Sequence, residues 1–308
     1  MKHSPIRTAQ EFEALMLSID AKLQQEKVPI PWRGLKAQQE VSRRLEVEIP
    51  FNGPFDFTPK PGDYTWSSLS GHISKWLEDR YGDRMKLDFS LGYTAIAIRN
   101  DAWLMKIPLV LGRVQAVCDR NLAEDSPTMK VYKPGEDATP LQMNVLRLLH
   151  QFPQGLANQL TTAELKFVLH VFMESLACFR YFDGTYRKEN LVVMAMSDLT
   201  SSARRAAGTP EEYGMSRWDS LQAAEKLLKF FLTQRGQSFP KSHNLADLFT
   251  LAASAGLPMP PKSFIDSIQC DAGVRYEVRP YTSTEVVHAH RAAVLVGYEV
   301  AAALGGVA

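Results

Sequence analysis

The side chains best suited to chemistry lie late in the chain. His243 is followed by Asn244-Leu245 at a predicted helix start, where its ring could pack or bond a nearby carbonyl. Arg275-Tyr276 precedes the last helix, and a guanidinium there could reach a carboxylate or a phosphate. Arg279 and the run His288-Ala289-His290-Arg291 follow. Residues two apart point about 200° apart around a helix, so His288 and His290 do not readily share a metal. The spacing predicts one buried and one solvated histidine, with Glu285, three residues before His288, able to orient that ring. His170 stands four residues before Glu174. Such a pair binds a metal in a bundle only with further carboxylates on facing helices. The sequence identifies none, so a satisfied core histidine is expected. Cys178 lies two helical turns, ~12 Å of rise, beyond His170, too far for a nucleophile–base pair.

Other chemistries lack their motifs. There is no GxGxxG, no GxxxxGK[ST], no GxSxG and no HExxH; Gly208-Thr-Pro-Glu-Glu-Tyr-Gly214 has glycines without a following Lys-Ser/Thr. Cys118, Cys178 and Cys270 form no CxxC and are odd in number, which argues against a disulfide framework or cysteine zinc site. They are expected to act as small hydrophobes. No metal or cofactor is expected. With 35 basic and 34 acidic residues, the chain shows no general basic surplus. The pairs Arg43-Arg44 and Arg204-Arg205 are too short to make a patch.

The elements that position these residues can be read from periodicity. Thr8…Glu11, Thr161…Glu164 and Thr282…Glu285 have capping-box spacing and predict three helix starts. Helices are expected from Thr8 to about Leu23, Trp32–Leu45, Trp66–Tyr81, Leu141–Phe152, Leu165–Phe182, Asn190–Ala207, Ser216–Arg235, His243–Ala255, Ser263–Ile268 and Thr282–Leu304. The helix containing His170 is apolar nearly all round and is expected to be buried. In the Ser216 helix, Trp218, Leu221, Ala224, Leu228 and Phe231 share a face, while Glu225 and Lys229 form an i,i+4 pair on another. Alternation from Leu87 to Leu111 predicts an antiparallel meander with Gly92 at a bulge or turn. Pro and aromatic residues interleave from Pro50 to Trp66, which suits a ligand- or peptide-binding surface or, the preferred reading, a loop pinned by its rings.

The expected fold class is therefore α+β and predominantly helical. An N-terminal domain over residues 1–140 combines helices with the small antiparallel sheet, and 141–308 is helical. The start, MKHSPIRTAQEFE, has no apolar h-region. The most apolar stretch, Ala292–Leu304, is short of the ~20 residues a membrane helix needs and contains Glu299. A cytoplasmic location without membrane association is expected.

From about Asp198 onward the chain resembles a HEPN domain. The family's A-A-E-x-x-x-K helix core is matched by Ala223-Ala224-Glu225-Lys226-Leu227-Leu228-Lys229, its His-Asx-Leu by His243-Asn244-Leu245, and its Arg-Tyr pair by Arg275-Tyr276. The resemblance implies a helical bundle and a homo-oligomer, a dimer in the usual case. It also implies links to nucleic-acid metabolism or phage defence, with a nucleotide or RNA as partner. Catalytic members resemble RNases with an Arg-x4-6-His motif. Here Arg279 and His288 have eight residues between them, and Arg275 is farther still. A non-catalytic binding or oligomerisation protein is therefore implied, with Arg275, Tyr276 and Lys226 as ligand-binding candidates. The alternatives are an RNase drawing on Arg275 or Arg279 with His243 or His288, and an adaptor that binds another protein through the N-terminal sheet.

Overall fold

The computed structural model describes residues 6–46, 60–85, 88, 90–123, 140–241, 243–276 and 281–306. It is α+β and mostly helical, with ten α-helices and two small sheets among these residues. The chain divides into two compact units, Met1–Asp88 and Phe89–Ala308.

In the first unit, α1 (Ala9–Gln25), α2 (Arg33–Leu45) and α3 (Trp66–Tyr81) close around Met16, Ile19, Ala37, Val41, Leu69, Ile73 and Leu77. Thr8 and Glu11 form the expected capping box on α1. Asp20 is 1 % exposed and carries a full set of donors: Arg33 Nη1 at 3.1 Å, Arg80 Nε at 3.0 Å and the Tyr81 hydroxyl at 2.6 Å. A carboxylate can be buried only when it is paired and bonded in this way. Tyr64 stacks on Phe12 with ring centroids 5.3 Å apart, which fixes the residues leading into α3. Phe51, Phe55 and Phe57 lie outside the described residues.

The second unit begins with a hairpin, β1 (Ser90–Ile98) against β2 (Asp101–Pro108), whose register shifts between Ser90 and Gly92. Its two-residue turn places Arg99 and Asn100 at φ 53° and 71°. Positive φ at both positions matches the strand twist. The expected meander goes no further, because β3 (Val114–Val117) pairs in parallel with β4 (Leu141–Asn144). Leu141–Phe152, expected to be one helix, is that strand followed by a short 3-10 turn over Val145–Leu148. Asn144 explains the break. Its side chain accepts from Leu146 N and Asp119 N and donates to the carbonyls of Asp119 and Asn121, giving the backbone a non-helical alternative.

Seven helices follow: α4 (Gln154–Gln159), α5 (Thr162–Tyr186), α6 (Asn190–Ala206), α7 (Tyr213–Gln234), α8 (Leu245–Ser254), α9 (Lys262–Ile268) and α10 (Ser283–Ala303). The hairpin belongs with them. β1 packs on α5, α6 and α10, so the units part at residue 88 rather than near residue 140. The physical reason is the apolar content of the strands: Ile96, Met105 and Ile107 are buried in the same core as Phe172, Phe179 and Leu228. Gly92 permits a close approach, because a Cβ there would collide with the Phe179 ring.

The α5 helix is less enclosed than its composition suggested. Phe167 is 38 % and Met173 48 % exposed. His170 is a surface residue, its Nε2 3.0 Å from Glu174 Oε1, rather than a core histidine. Cys178, by contrast, is fully buried, and burial pushes its thiol up to about 12, so it acts as a small hydrophobe. α10 crosses it closely. A Cβ on Gly297 would lie 2.5 Å from Cys178 Sγ and 3.3 Å from Leu227 Cδ1. Gly297→Ala is therefore expected to cost about 1–3 kcal/mol in urea denaturation through overpacking. Adding Cys178→Ala should recover part of the loss; strict additivity of the two changes would show that the crossing is not the cause.

A buried polar cluster joins four elements of this unit. His290 on α10 is fully buried, its Nε2 3.0 Å from the Thr94 hydroxyl on β1 and its Nδ1 3.2 Å from the Ser202 hydroxyl on α6. Ser202 in turn meets Ser220 of α7 at 2.7 Å. His288, two residues away, is exposed, as the helical spacing predicts. Glu285 does not orient it. That carboxylate is taken by the Thr282 capping box, which holds its pKa below the ordinary carboxylate value.

Candidate functional site

α7 displays Trp218, Gln222, Lys226 and Lys229 at intervals of three or four residues, with Glu225 three after Gln222 and four before Lys229, so they run along neighbouring helical faces. Glu225 is 5 % exposed and accepts from Lys229 Nζ at 2.6 Å. Its other oxygen is 2.6 Å from His243 Nδ1. Two motifs distant in sequence, the Ala-Ala-Glu core and His-Asn-Leu, thus meet through one carboxylate. With Nδ1 engaged, the exposed imidazole presents Nε2 as its second nitrogen.

The segment carrying His243 is fixed from two sides. Asn244 caps α8 by accepting from Ala246 N. Gln269, beyond the end of α9, accepts from Leu245 N at 2.9 Å and donates to the His243 carbonyl at 3.3 Å. Arg217 of α7 donates to the carbonyls of Ser267 and Gln269, which ties that segment back to the helix. A short 3-10 turn, Ala272–Arg275, then brings Arg275 over the Trp218 ring, its guanidinium carbon 4.4 Å from the centroid. The His243 ring lies 5.8 Å from the same indole. The result is an open recess of about 430 Å3 lined by Trp218, His243, Asn244, Gln269, Cys270 and Asp271. It offers an aromatic wall, an oriented imidazole, two carboxamides and the Asp271 carboxylate, and the Arg275 guanidinium flanks it over the Trp218 ring.

The sequence candidates divide on this geometry. His243 and Arg275 converge on Trp218, and Tyr276, 81 % exposed, follows directly. Lys226 is committed elsewhere: its ammonium is 2.6 Å from Asp198 on α6 and 3.1 Å from Gln222, and its side chain is only 12 % exposed. His288 lines a different depression, with Arg291 and Phe264. Arg279 lies outside the described residues. Trp218 and Gln269 were not legible as site residues. Trp218 read as part of the core stripe, although it is only half-buried, and nothing local marks Gln269 as the brace of a distant loop.

α6 and α7 carry two further acids, Asp198 and Asp219. Burial raises the pKa of Asp198, against the pull of Lys226. Burial also brings Asp219 up to about 6, against its contact with Arg205. Desolvation is the largest influence at both and outweighs the pull of Lys226 and Arg205, with a neighbouring carboxylate, Glu225 or Asp198, adding to the rise. Among the described residues no group of three or more His, Cys, Asp or Glu side chains could hold a metal ion. Among the same residues no helix is long and apolar enough to cross a membrane.

Fold and site together define an α+β, mostly helical protein with an aromatic recess flanked by a cation and an imidazole. Compared with known proteins, the chain matches no family model, no curated protein and no solved structure.

Proposed function

We propose that the chain is a non-catalytic, HEPN-like binding protein that takes an anionic ligand, a nucleotide or RNA, in the recess beside Trp218. Self-association and a cytoplasmic location belong to the same proposal. The observation that carries it is the convergence of His243 and Arg275 on one indole ring. An arginine stacked on an aromatic face keeps its N–H edge available for phosphate, and aromatic side chains stack on bases. Further support comes from the three sequence motifs behind the resemblance: the Glu and His motifs bond directly, and the Arg motif shares Trp218 with that histidine.

The second reading, an RNase, draws on the Glu225–His243 pair. A buried carboxylate that orients an exposed imidazole is the arrangement of a general base and its positioning group.

One experiment separates them. The full chain is titrated with a fluorescent oligoribonucleotide and with labelled ATP, and the RNA is then run on a denaturing gel. The expected result is saturable binding without cleavage, weakened at least about tenfold by Arg275→Ala, a loss of ~1.4 kcal/mol. Lys188→Ala, an equal loss of charge at an exposed site outside the recess, should change little. Cleavage by the wild type that disappears in His243→Ala would move the function to the second reading. Absence of binding to either probe would end the first.

A further inference from the structure

A second concavity in the same unit is chemically unlike the recess and independent of it. Phe249 of α8, Leu257 and Met259 of the following connection, Phe264 of α9 and Val296 of α10 line an apolar chamber of about 210 Å3. A cavity of about 150 Å3 with such walls holds benzene, so this one has room for an apolar body of about six to eight carbons. Pro258 and Pro260 stiffen one wall, which lowers the ordering cost of binding. The lining has one charged residue, Glu299.

Phe264 and Leu295 also line a second, more open depression of about 590 Å3, so the two concavities lie against the same pair of side chains. The second one is cationic. His288 and Arg291 stand three residues apart on α10 and both line it, together with Ser263. Arg291 is held in place: its guanidinium carbon lies 4.9 Å over the Phe167 ring, and Nη2 reaches Glu174 at 3.3 Å. Its Nε is buried and bonds to no described residue. Nε is therefore out of a ligand's reach, and it is the partly exposed outer edge of the guanidinium, engaged only by the one long contact with Glu174, that suits a carboxylate.

We propose that the two adjoining depressions together bind a small amphipathic carboxylate. Its apolar body fills the chamber between Phe249, Met259 and Val296, and its carboxylate rests on Arg291 and His288. Charge sets the direction. Glu299 repels an anion at the chamber end, while Arg291 attracts it at the other; an amine of the same length would have to bind the opposite way round, with its apolar tail against Arg291 and His288, and so more weakly.

The test uses the full chain with octanoate, and octylamine as the competing class. The readouts are the Met259 methyl resonance in methyl-labelled protein, assigned with Met259→Leu, and the melting temperature. Octanoate is expected to shift the Met259 signal saturably and to raise the melting temperature, with octylamine far weaker. Arg291→Lys keeps the charge but loses the fork, and should weaken octanoate at least about tenfold. His288→Ala, an exposed change, should weaken it severalfold and serves if the arginine variant does not fold. Octylamine binding as well as octanoate, a shift that never saturates, or octanoate affinity unchanged in the folded variants would each overturn the proposal. RNA binding at Trp218 is unaffected by any of these results, so the two sites stand or fall separately.

Discussion

Glu225→Ala is expected to destabilise the helical unit by roughly 3–5 kcal/mol, because it leaves a buried ammonium without its counter-charge. Glu225 is nearly inaccessible, and Lys229, bonded to it at 2.6 Å, has a side chain only 13 % exposed. The i,i+4 pair, a type worth a few tenths of a kcal/mol on an exposed helix, is here an interior one. Glu225→Gln keeps an acceptor for Lys229 and should fall between wild type and the alanine variant. Lys229→Met on the Glu225→Ala background removes the orphaned charge and should restore much of the loss. Hydrogen exchange on α7 peptides is the suitable measurement, since it reports this unit alone. A loss below about 1 kcal/mol would mean that water screens the pair and the network is peripheral. The same substitution frees the His243 ring, so ligand affinity in the recess should drop even where the protein remains folded.

Acid should destabilise the same unit through His290. Burial holds this imidazole far below its ordinary value of 6.5, at about 3. Between those limits the unfolded chain binds a proton that the folded chain does not. Stability therefore falls as pH drops below about 6.5, with a limiting slope on the order of 1.4 kcal/mol per pH unit, and is indifferent to this group above it. Asp219 acts in the opposite sense. Raised from 3.8 to about 6, it binds its proton more readily when folded, so its contribution weakens as pH rises through that interval. His290→Asn isolates the histidine. The variant should be less stable at neutral pH, having lost one of the bonds to Thr94 and Ser202. Its urea midpoint should also lose the part of the acid destabilisation between pH 6.5 and 4 that His290 contributes, leaving the opposing contribution of Asp219. Parallel pH profiles in the two proteins would show that His290 accepts a proton without unfolding.

Comparison of element with element shows which signals were local. All three expected capping boxes form, at Thr8, Thr161 and Thr282, because a hydroxyl and a carboxylate three residues apart need only each other and the backbone between them. Of the face shared by Trp218, Leu221, Ala224, Leu228 and Phe231, all but the half-buried Trp218 are fully buried, since helical periodicity aligns them whatever packs against them. Leu141–Phe152 failed for a related reason. Its apolar pattern suits a helix equally well, and Asn144 bonds to residues more than twenty positions away, outside any local window. The hairpin was legible as strands but not in its allegiance, because burial on α5, α6 and α10 is a long-range property.

The same division runs through the candidate site. Residue type and spacing alone determined that α7 would be a helix carrying Glu225 and Lys229, that His243 would stand at the start of another, and that one of His288 and His290 would be buried. Only the tertiary structure decided that Glu225 points at His243, that Arg275 and not His288 shares Trp218, and that Gln269 braces the loop between them. Local hydrogen bonding and helical geometry act over three or four residues and leave a trace in sequence. Which helices pack together depends on burying apolar surface across the whole unit, and that collective term carries no positional signature.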